Sequence, residues 1–264
     1  MGAAFDRFCT PVPLERRRPS AAKAERIELA LPFGSLIGLA AGPADGPPAL
    51  VVHGWNSQAA LLQPLVSALA RQGLRVYAFD MPAHGQTRDA NPSKPTSTMV
   101  EWVETMIAAT AALGVARWQS VIAHSFGALA SCFALGARPW GGLPAMSASS
   151  LVLIAGAAGM PTVVESYAAA VPSSDAEIAD IVEGVERATD ANIADLTVAS
   201  VVAALPDRLM LIHDPEDPVT RIADIRGALA AHPLWSEMLR DGAGHDAILF
   251  QLDVGRAAAK FAAG

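Results

Sequence analysis

An α/β fold is predicted for this chain of 264 residues: a mostly parallel sheet of about eight strands with helices on both faces. Three observations carry the prediction. Short apolar runs alternate with longer stretches of helical periodicity, the pattern of units that build parallel sheets. Hydrophobic residues make up 52% of the chain and charged residues 17%, as expected where strands are buried on both sides. One apolar run, Val121-Ile122-Ala123-His124, breaks off at Ser125-Phe126-Gly127 and continues as the helical stretch 128–135. That is a strand turned through a one-residue corner into a helix.

The elements follow in order. Residues 1–24 are rich in Pro and Arg and read as an arm, with Arg16, Arg17 and Arg18 as a solvated basic run. Residues 26–31 and 36–41 form a starting hairpin turned at 32–35. Residues 49–53 form a strand ending on His53-Gly54. A helix from about Ser57 to Gly73 presents Leu61, Leu62, Leu65 and Leu69 on one face, and Pro64 should bend it. The strand 75–79 runs into a turn at Asp80. Thr98 with Glu101 three residues on is a capping box, opening a helix that buries Trp102, Val103, Met106, Ile107 and Leu113 and stops near Gly114. Beyond the corner come strands at 150–155 and 208–213, a helix from Pro218, an edge strand at 235–239 and a final helix over about 247–262.

Residues 157–206 are too many for a plain connection. They divide into helices at 163–169, from the capping box of Ser174 and Glu177 towards Ala188, and at 193–204. Asp175, Glu177, Asp180, Glu183 and Glu186 read as a solvated face. Residues 25–264 are expected to form a single domain that includes this insertion.

Composition excludes several functions. A net charge of −7 and no basic patch leave nothing to neutralise phosphates, so no nucleic-acid partner is expected. No apolar run reaches the roughly 18 residues of a membrane span. Asp6, Arg7 and Glu15 interrupt the apolar core that a secretory signal needs, and Asp6 stands where N-myristoylation requires Ser or Thr. Cys9 and Cys132 have neither metal-ligand nor disulfide spacing, and Cys132 reads as a small core residue. A reducing, cytoplasmic location is expected, with no metal and no cofactor, since phosphate-cradling and dinucleotide motifs are absent too. On oligomeric state the sequence is silent.

The corner has a chemical use. A strained turn exposes the Ser125 hydroxyl, small neighbours at Ala123 and Gly127 let strand and helix pass closely, and the helix start favours negative charge beside it. A serine hydroxyl needs an adjacent base to attack at neutral pH, and histidine suits that role. His53 and His84 sit in turn motifs, and His124 should point away across the corner. His213 ends a buried strand and His232 precedes Pro233, whereas His245 lies in the glycine-flanked loop Gly242-Ala243-Gly244-His245-Asp246. Asp214, Glu216 and Asp217, after the strand 208–213, are the candidate acids to orient an imidazole.

The A-x-S-x-G corner at 123–127, His53-Gly54 and the turn Asp80-Met81-Pro82-Ala83-His84-Gly85-Gln86-Thr87 stand in one order with serine, acid and histidine. Together they resemble the α/β-hydrolase-fold serine hydrolases, from about Glu25 to the end of the chain. The resemblance implies Ser125 as nucleophile, His245 as base and Asp217 as acid. Asp217 lies three residues past Asp214, which stands where the family commonly has glycine. The backbone N–H groups of Trp55 and Phe126 are implied as the oxyanion hole, and residues 157–206 as a small helical lid, with Met160, Tyr167 and Trp140 as wall candidates. Dehalogenases and epoxide hydrolases of this fold carry aspartate at the corner, and the HGGG motif of one esterase group is absent.

The implied activity is therefore that of a serine esterase. It would cleave a small or medium carboxylic ester through an acyl-enzyme, with a small-molecule substrate as its partner. Thioester, amide or carbon–carbon cleavage, a ligand receptor with little turnover, and a lyase are the alternatives.

Overall fold

Residues 2–13, 24–136, 138, 140–142 and 144–264 are described by a computed structural model; Arg16, Arg17 and Arg18 lie outside them. Eight strands form one sheet: β1 (Glu25–Leu31), β2 (Gly34–Ala41), β3 (Pro48–Val52), β4 (Arg75–Phe79), β5 (Ser120–His124), β6 (Ser150–Ile154), β7 (Arg208–His213) and β8 (Trp235–Leu239). Their spatial order is β1-β2-β4-β3-β5-β6-β7-β8. β2 pairs antiparallel with both β1 and β4, and every later pairing is parallel. This is the mostly parallel α/β sheet that the alternating pattern predicts.

Among the described residues ten α-helices connect these strands: α1 (Ala3–Phe8), α2 (Gln63–Arg71), α3 (Gly85–Ala90), α4 (Met99–Ala112), α5 (Phe126–Leu135), α6 (Met160–Ala170), α7 (Asp175–Thr189), α8 (Val198–Val201), α9 (Ile222–Leu229) and α10 (Leu252–Ala263). Successive side chains of a strand point to opposite faces, and the two cores follow that rule. Val121 and Ala123 join Trp102 of α4, Leu129 of α5 and Ile225 of α9 on one side. Ile122, between them, joins Leu65 and Leu69 of α2 and Ala258 of α10 on the other. β5 and β6 are buried at every position, so the sheet centre is covered on both faces, and the loops at its edge leave from packed strand ends.

Several boundaries differ from expectation for physical reasons. The helix expected over 57–73 is a 3₁₀ turn, Ala59–Leu62, followed by α2. Pro64 sits in the first turn of α2, where its missing N–H costs nothing, so it opens the helix instead of bending it. The helix expected at 193–204 is broken into the turn Ile193–Asp195, α8 and the turn Val202–Ala204. The last helix divides at Gln251, and the helix placed from Pro218 begins at Ile222. Both capping boxes form, Thr98 with Glu101 and Ser174 with Glu177.

The acidic face of α7 is not simply solvated. Asp180 accepts the backbone N–H groups of Ala4 and Phe5, Glu177 pairs with Arg7, and Glu186 accepts the N–H of Ile193; Asp175 and Glu183 are exposed. α1 lies in the stretch read from composition as an arm, and it packs on α7 with Phe5 buried. No helix among the described residues is long and apolar enough to cross a membrane.

Removing the Thr98 hydroxyl tests how much a cap contributes here: Thr98→Ala should lower unfolding free energy by about 1 kcal/mol, read from the shift in urea midpoint.

Candidate active site

β5 ends on Ser125, whose backbone takes φ 54° and ψ −124°, and α5 starts at the next residue. A positive φ is costly for a residue that carries a Cβ, so the surroundings must hold it. The Ser125 N–H donates to the Ile154 carbonyl at 3.0 Å, and its carbonyl accepts from Ala128 at 3.0 Å. Close packing explains the small neighbours. A Cβ on Gly127 would lie 2.2 Å from the His53 carbonyl oxygen, and one on Gly54 would lie 3.0 Å from the Ser125 Cβ. The His53-Gly54 loop is thus pressed directly against the corner.

The Ser125 Oγ lies 2.8 Å from His245 Nε2, and His245 Nδ1 lies 2.8 Å from Asp217 Oδ2. Asp217 leaves the end of β7 in a loop that saturates its carboxylate. Oδ1 accepts the N–H groups of Val219 and Thr220 at 2.8 and 3.0 Å, and Oδ2 accepts the Thr220 hydroxyl at 3.0 Å. Burial opposes ionisation of Asp217, but the hydrogen bond from His245 and the amide of Thr220, with the His245 charge and the Val219 amide, outweigh it and hold the group down at about 2. An ionised carboxylate has no proton to give, so His245 Nδ1 donates to it and Nε2 is left to accept from Ser125.

Asp214 has a different job. Its Oδ1 accepts the Glu216 N–H at 3.0 Å and its Oδ2 accepts the Gly244 N–H, which ties the loop of Asp217 to the loop carrying His245. Those two amides, led by Gly244, also lower its pKa. Thr220 was not singled out by sequence. Its hydroxyl touches Asp217, the Ala155 carbonyl at 3.2 Å and His245 Nδ1 at 3.4 Å, so it steers the carboxylate. The only local signal is a hydroxyl three residues after an aspartate, a common turn pattern.

The other five histidines are engaged elsewhere. His53 binds the Gly54 carbonyl through Nδ1 and accepts the Met81 N–H on Nε2; His84 binds the Pro82 carbonyl and accepts the Asn56 N–H. Each ring therefore carries its proton on Nδ1. Burial pushes His53 far below the usual imidazole range and His84 down to about 4. His213 and His232 bind the carbonyls of Thr220 and Pro206. His124 points across the corner to donate from Nε2 to the His245 carbonyl at 2.9 Å, leaving a buried Nδ1 without a partner. Burial and the neighbouring His245 lower it to about 4.

The N–H groups of Trp55 and Phe126 have no protein acceptor among the described residues. Their rings pack edge to face at 5.3 Å over the fully buried Trp102, so Trp55 is both packing and wall. The site opens on a cavity of about 760 Å³ lined by Phe5, Phe8, Met160, Tyr167 and Phe250 besides Trp55, Ser125, Phe126, Thr220 and His245. Trp140, expected in the wall, instead stacks on Phe133 with centroids 5.6 Å apart and does not line the cavity. His124, His245 and Asp246 bring possible metal-ligand atoms within 4.8 Å of one another. Three of the four imidazole nitrogens there already hold Ser125, Asp217 or a carbonyl, so a metal would have to dismantle the serine relay.

Comparison with known proteins agrees with this architecture. The family described as alpha/beta hydrolase fold matches residues 47–176. A human serine hydrolase-like protein is 31% identical over 105 residues, which is 38% of this chain and 48% of that protein, so the chain spans about half the length of the relative. Among solved structures, the Pyrococcus furiosus esterase Pf2001 superposes with a TM-score of 0.68 at 16% identity, over 96% of this chain and 95% of that one. A thioesterase domain from the curacin biosynthetic pathway gives 0.63 at 15% identity, over 91% and 99%. Residues 47–176 thus match the α/β-hydrolase fold family, and the chain has the fold of these structures over nearly its whole length.

The tight approach at Gly127 yields a test. Gly127→Ala should cost about 1–3 kcal/mol by overpacking, seen in chemical denaturation, because the His53-Gly54 loop must retreat from the corner.

Proposed function

We propose that this protein is a serine hydrolase acting on carboxylic esters, with Ser125 as nucleophile, His245 as general base and Asp217 as the acid that orients it. The observation that carries this reading is the continuous relay from the Ser125 hydroxyl through His245 to the Asp217 carboxylate, with both links at 2.8 Å, on the wall of an apolar cavity.

As Ser125 Oγ attacks the ester carbon, its proton passes to His245 Nε2, and Asp217 stabilises the imidazolium. The carbonyl oxygen becomes an oxyanion, for which the N–H groups of Trp55 and Phe126 are the donors. Collapse breaks the ester C–O bond, and the His245 proton leaves with the alcohol. Water then repeats the sequence on the acyl-Ser125 and releases the acid. Residues 157–206 act as the lid over this site. A cytoplasmic setting belongs to the same reading and is supported by two buried free thiols, Cys9 and Cys132.

One observation favours an ester of an uncharged alcohol over a thioester of a phosphate-bearing carrier. Arg7 is the one Arg or Lys among the described residues lining the cavity, and Glu177 already pairs with it at 2.9 Å. The exposed group next to His245 is the Asp246 carboxylate, which repels an anionic leaving group.

A fluorophosphonate probe and a p-nitrophenyl ester series test the proposal together. Ser125 should be labelled in the folded protein, and Ser125→Ala or His245→Ala should lose about 10⁶-fold in kcat. Protein that hydrolyses none of these esters and leaves Ser125 unlabelled would sink the reading. Asp217→Ala should cost about 10⁴-fold, while Asp214→Ala should cost about 10²-fold or less because it only shifts a loop; the reverse ranking would move the acid to Asp214.

The acid limb of the rate has a defined form. Asp217 is held down at about 2, so it stays ionised as the pH is lowered to about 5, a range that also lies above His84 and His124 at about 4, and uptake of one proton should switch activity off. A plot of log kcat/KM against pH should fall with unit slope over that range; a slope of two would mean that Asp217 takes up a proton there.

A further inference from the structure

Residues 2–13 stand where the hydrolytic chemistry needs nothing, yet they wall the cavity that holds Ser125. α1 is fastened to α7 at both ends. Asp180 Oδ2 accepts the N–H groups of Ala4 and Phe5 at 3.0 and 3.1 Å, and Arg7 reaches Glu177 at 2.9 Å and the Tyr167 hydroxyl on α6 at 3.1 Å. Phe5 fills a notch that only glycine leaves open, for a Cβ on Gly184 would lie 2.2 Å from the Phe5 ring. Phe8 meets the Tyr167 ring edge-on, with centroids 5.0 Å apart. The chain then crosses to the opposite rim. The Cys9 carbonyl accepts the Ser97 N–H at 2.8 Å, and the Val12 N–H donates to Asn56 Oδ1 at 2.7 Å. Asn56 follows Trp55, so this strap joins α7 to the loop of one proposed oxyanion donor.

Reaction geometry sorts the walls. The leaving oxygen must take its proton from His245 Nε2, and the carbonyl oxygen must face the Trp55 and Phe126 amides. The acyl substituent is left with the remaining direction, away from His245 and its neighbours Asp246, Leu249 and Phe250. Apart from those residues, the cavity wall is largely apolar and includes Phe5, Phe8, Met160 and Tyr167 of α1 and α6. Its cation, Arg7, is already neutralised by Glu177. Cys9 adds an uncharged thiol, since burial, with the nearby Glu101 and Asp6 carboxylates, pushes it up to about 12.

Resting on the esterase reading, we propose that α1 is the acyl gauge of this enzyme: Phe5 and Phe8 set how long an uncharged, apolar acyl chain the site accepts. The substrate class is then an ester of an unsubstituted aliphatic acid, and acyl groups ending in a carboxylate are rejected.

The experiment compares kcat/KM for p-nitrophenyl esters from acetate to laurate, and for a succinate half-ester, in the wild type and in Phe8→Ala, Phe8→Trp and Gly184→Ala, with fluorophosphonate labelling of Ser125 in each. Each methylene newly accommodated should raise kcat/KM about fourfold. The long-to-short ratio should therefore rise in Phe8→Ala and fall in Phe8→Trp. Gly184→Ala lies outside the cavity and should change the ratio by displacing Phe5. Should Phe8→Ala not fold, Phe8→Leu and Phe8→Trp carry the comparison. Labelled, active variants whose chain-length profiles superimpose on the wild type would overturn the gauge while leaving the esterase reading intact, and so would efficient cleavage of the succinate half-ester. A wild type that is neither labelled nor active would bring down the esterase reading, and the gauge with it.

Discussion

The molecule is organised around one unfavourable backbone geometry, the positive φ of Ser125 at the end of a fully buried central strand. A residue in that conformation stores strain, and the strain persists only while neighbouring backbone groups hold it. Here the hold comes from β6 through Ile154 and from the His53-Gly54 loop, which packs so closely that Gly127 has no room for a side chain. The parallel sheet supplies the other half of the arrangement. β3, β5 and β7 run in one direction and their following loops emerge along one edge, so Trp55, Ser125 and Asp217 converge there although they are far apart in the chain. The loop after β8 brings His245 to the same place.

Hydrogen-bond polarity then turns this meeting point into a directed relay. Asp217 accepts from two amides, a hydroxyl and an imidazole, and remains an anion far into acid. That fixes the proton of His245 on the side away from Ser125. The neighbouring histidines cannot compete, because each is bound to a carbonyl that sets its own tautomer. His124 does more than stand aside. By donating to the His245 carbonyl it ties the residue before the corner to the loop that carries His245, while Asp214 ties the same loop to the one that carries Asp217. An aspartate in place of the glycine common at position 214 is therefore structural, and it leaves Asp217 as the group in contact with the imidazole.

What could be read from the sequence was local. Strands buried on both faces announce themselves as unbroken apolar runs, both capping boxes lie within four residues, and the corner is a seven-residue pattern. The misreadings share a cause, which is dependence on how neighbouring and distant segments end and pack. Pro64 looked like a kink because its place in the first turn of α2 depends on where the preceding 3₁₀ turn ends. The stretch 193–204 has helical periodicity, but Leu196, Val198, Val201 and Val202 are buried on packing terms that a continuous helix does not meet. Asp180 and Glu177 look like ordinary surface carboxylates until α1, more than 160 residues earlier in the chain, is seen against them. Thr220 is equally silent, since its role exists only when Asp217, Ala155 and His245 come together.

That dependence has a consequence for the cavity itself. A six-residue helix does not form alone in water, because nucleation costs more than so few hydrogen bonds return. α1 therefore exists because α7 gives it an N-terminal acceptor in Asp180, a notch at Gly184 for Phe5 and an ion pair for Arg7. Withdrawing α7 would leave the amides of Ala4 and Phe5 without their carboxylate and expose a ring now 2% accessible, so α1 either travels with α7 or melts. The segment that follows it is bound through Val12 to Asn56, beside Trp55, which resists travel. The cavity wall that α1 supplies and the loop bearing a proposed oxyanion donor are thus mechanically joined.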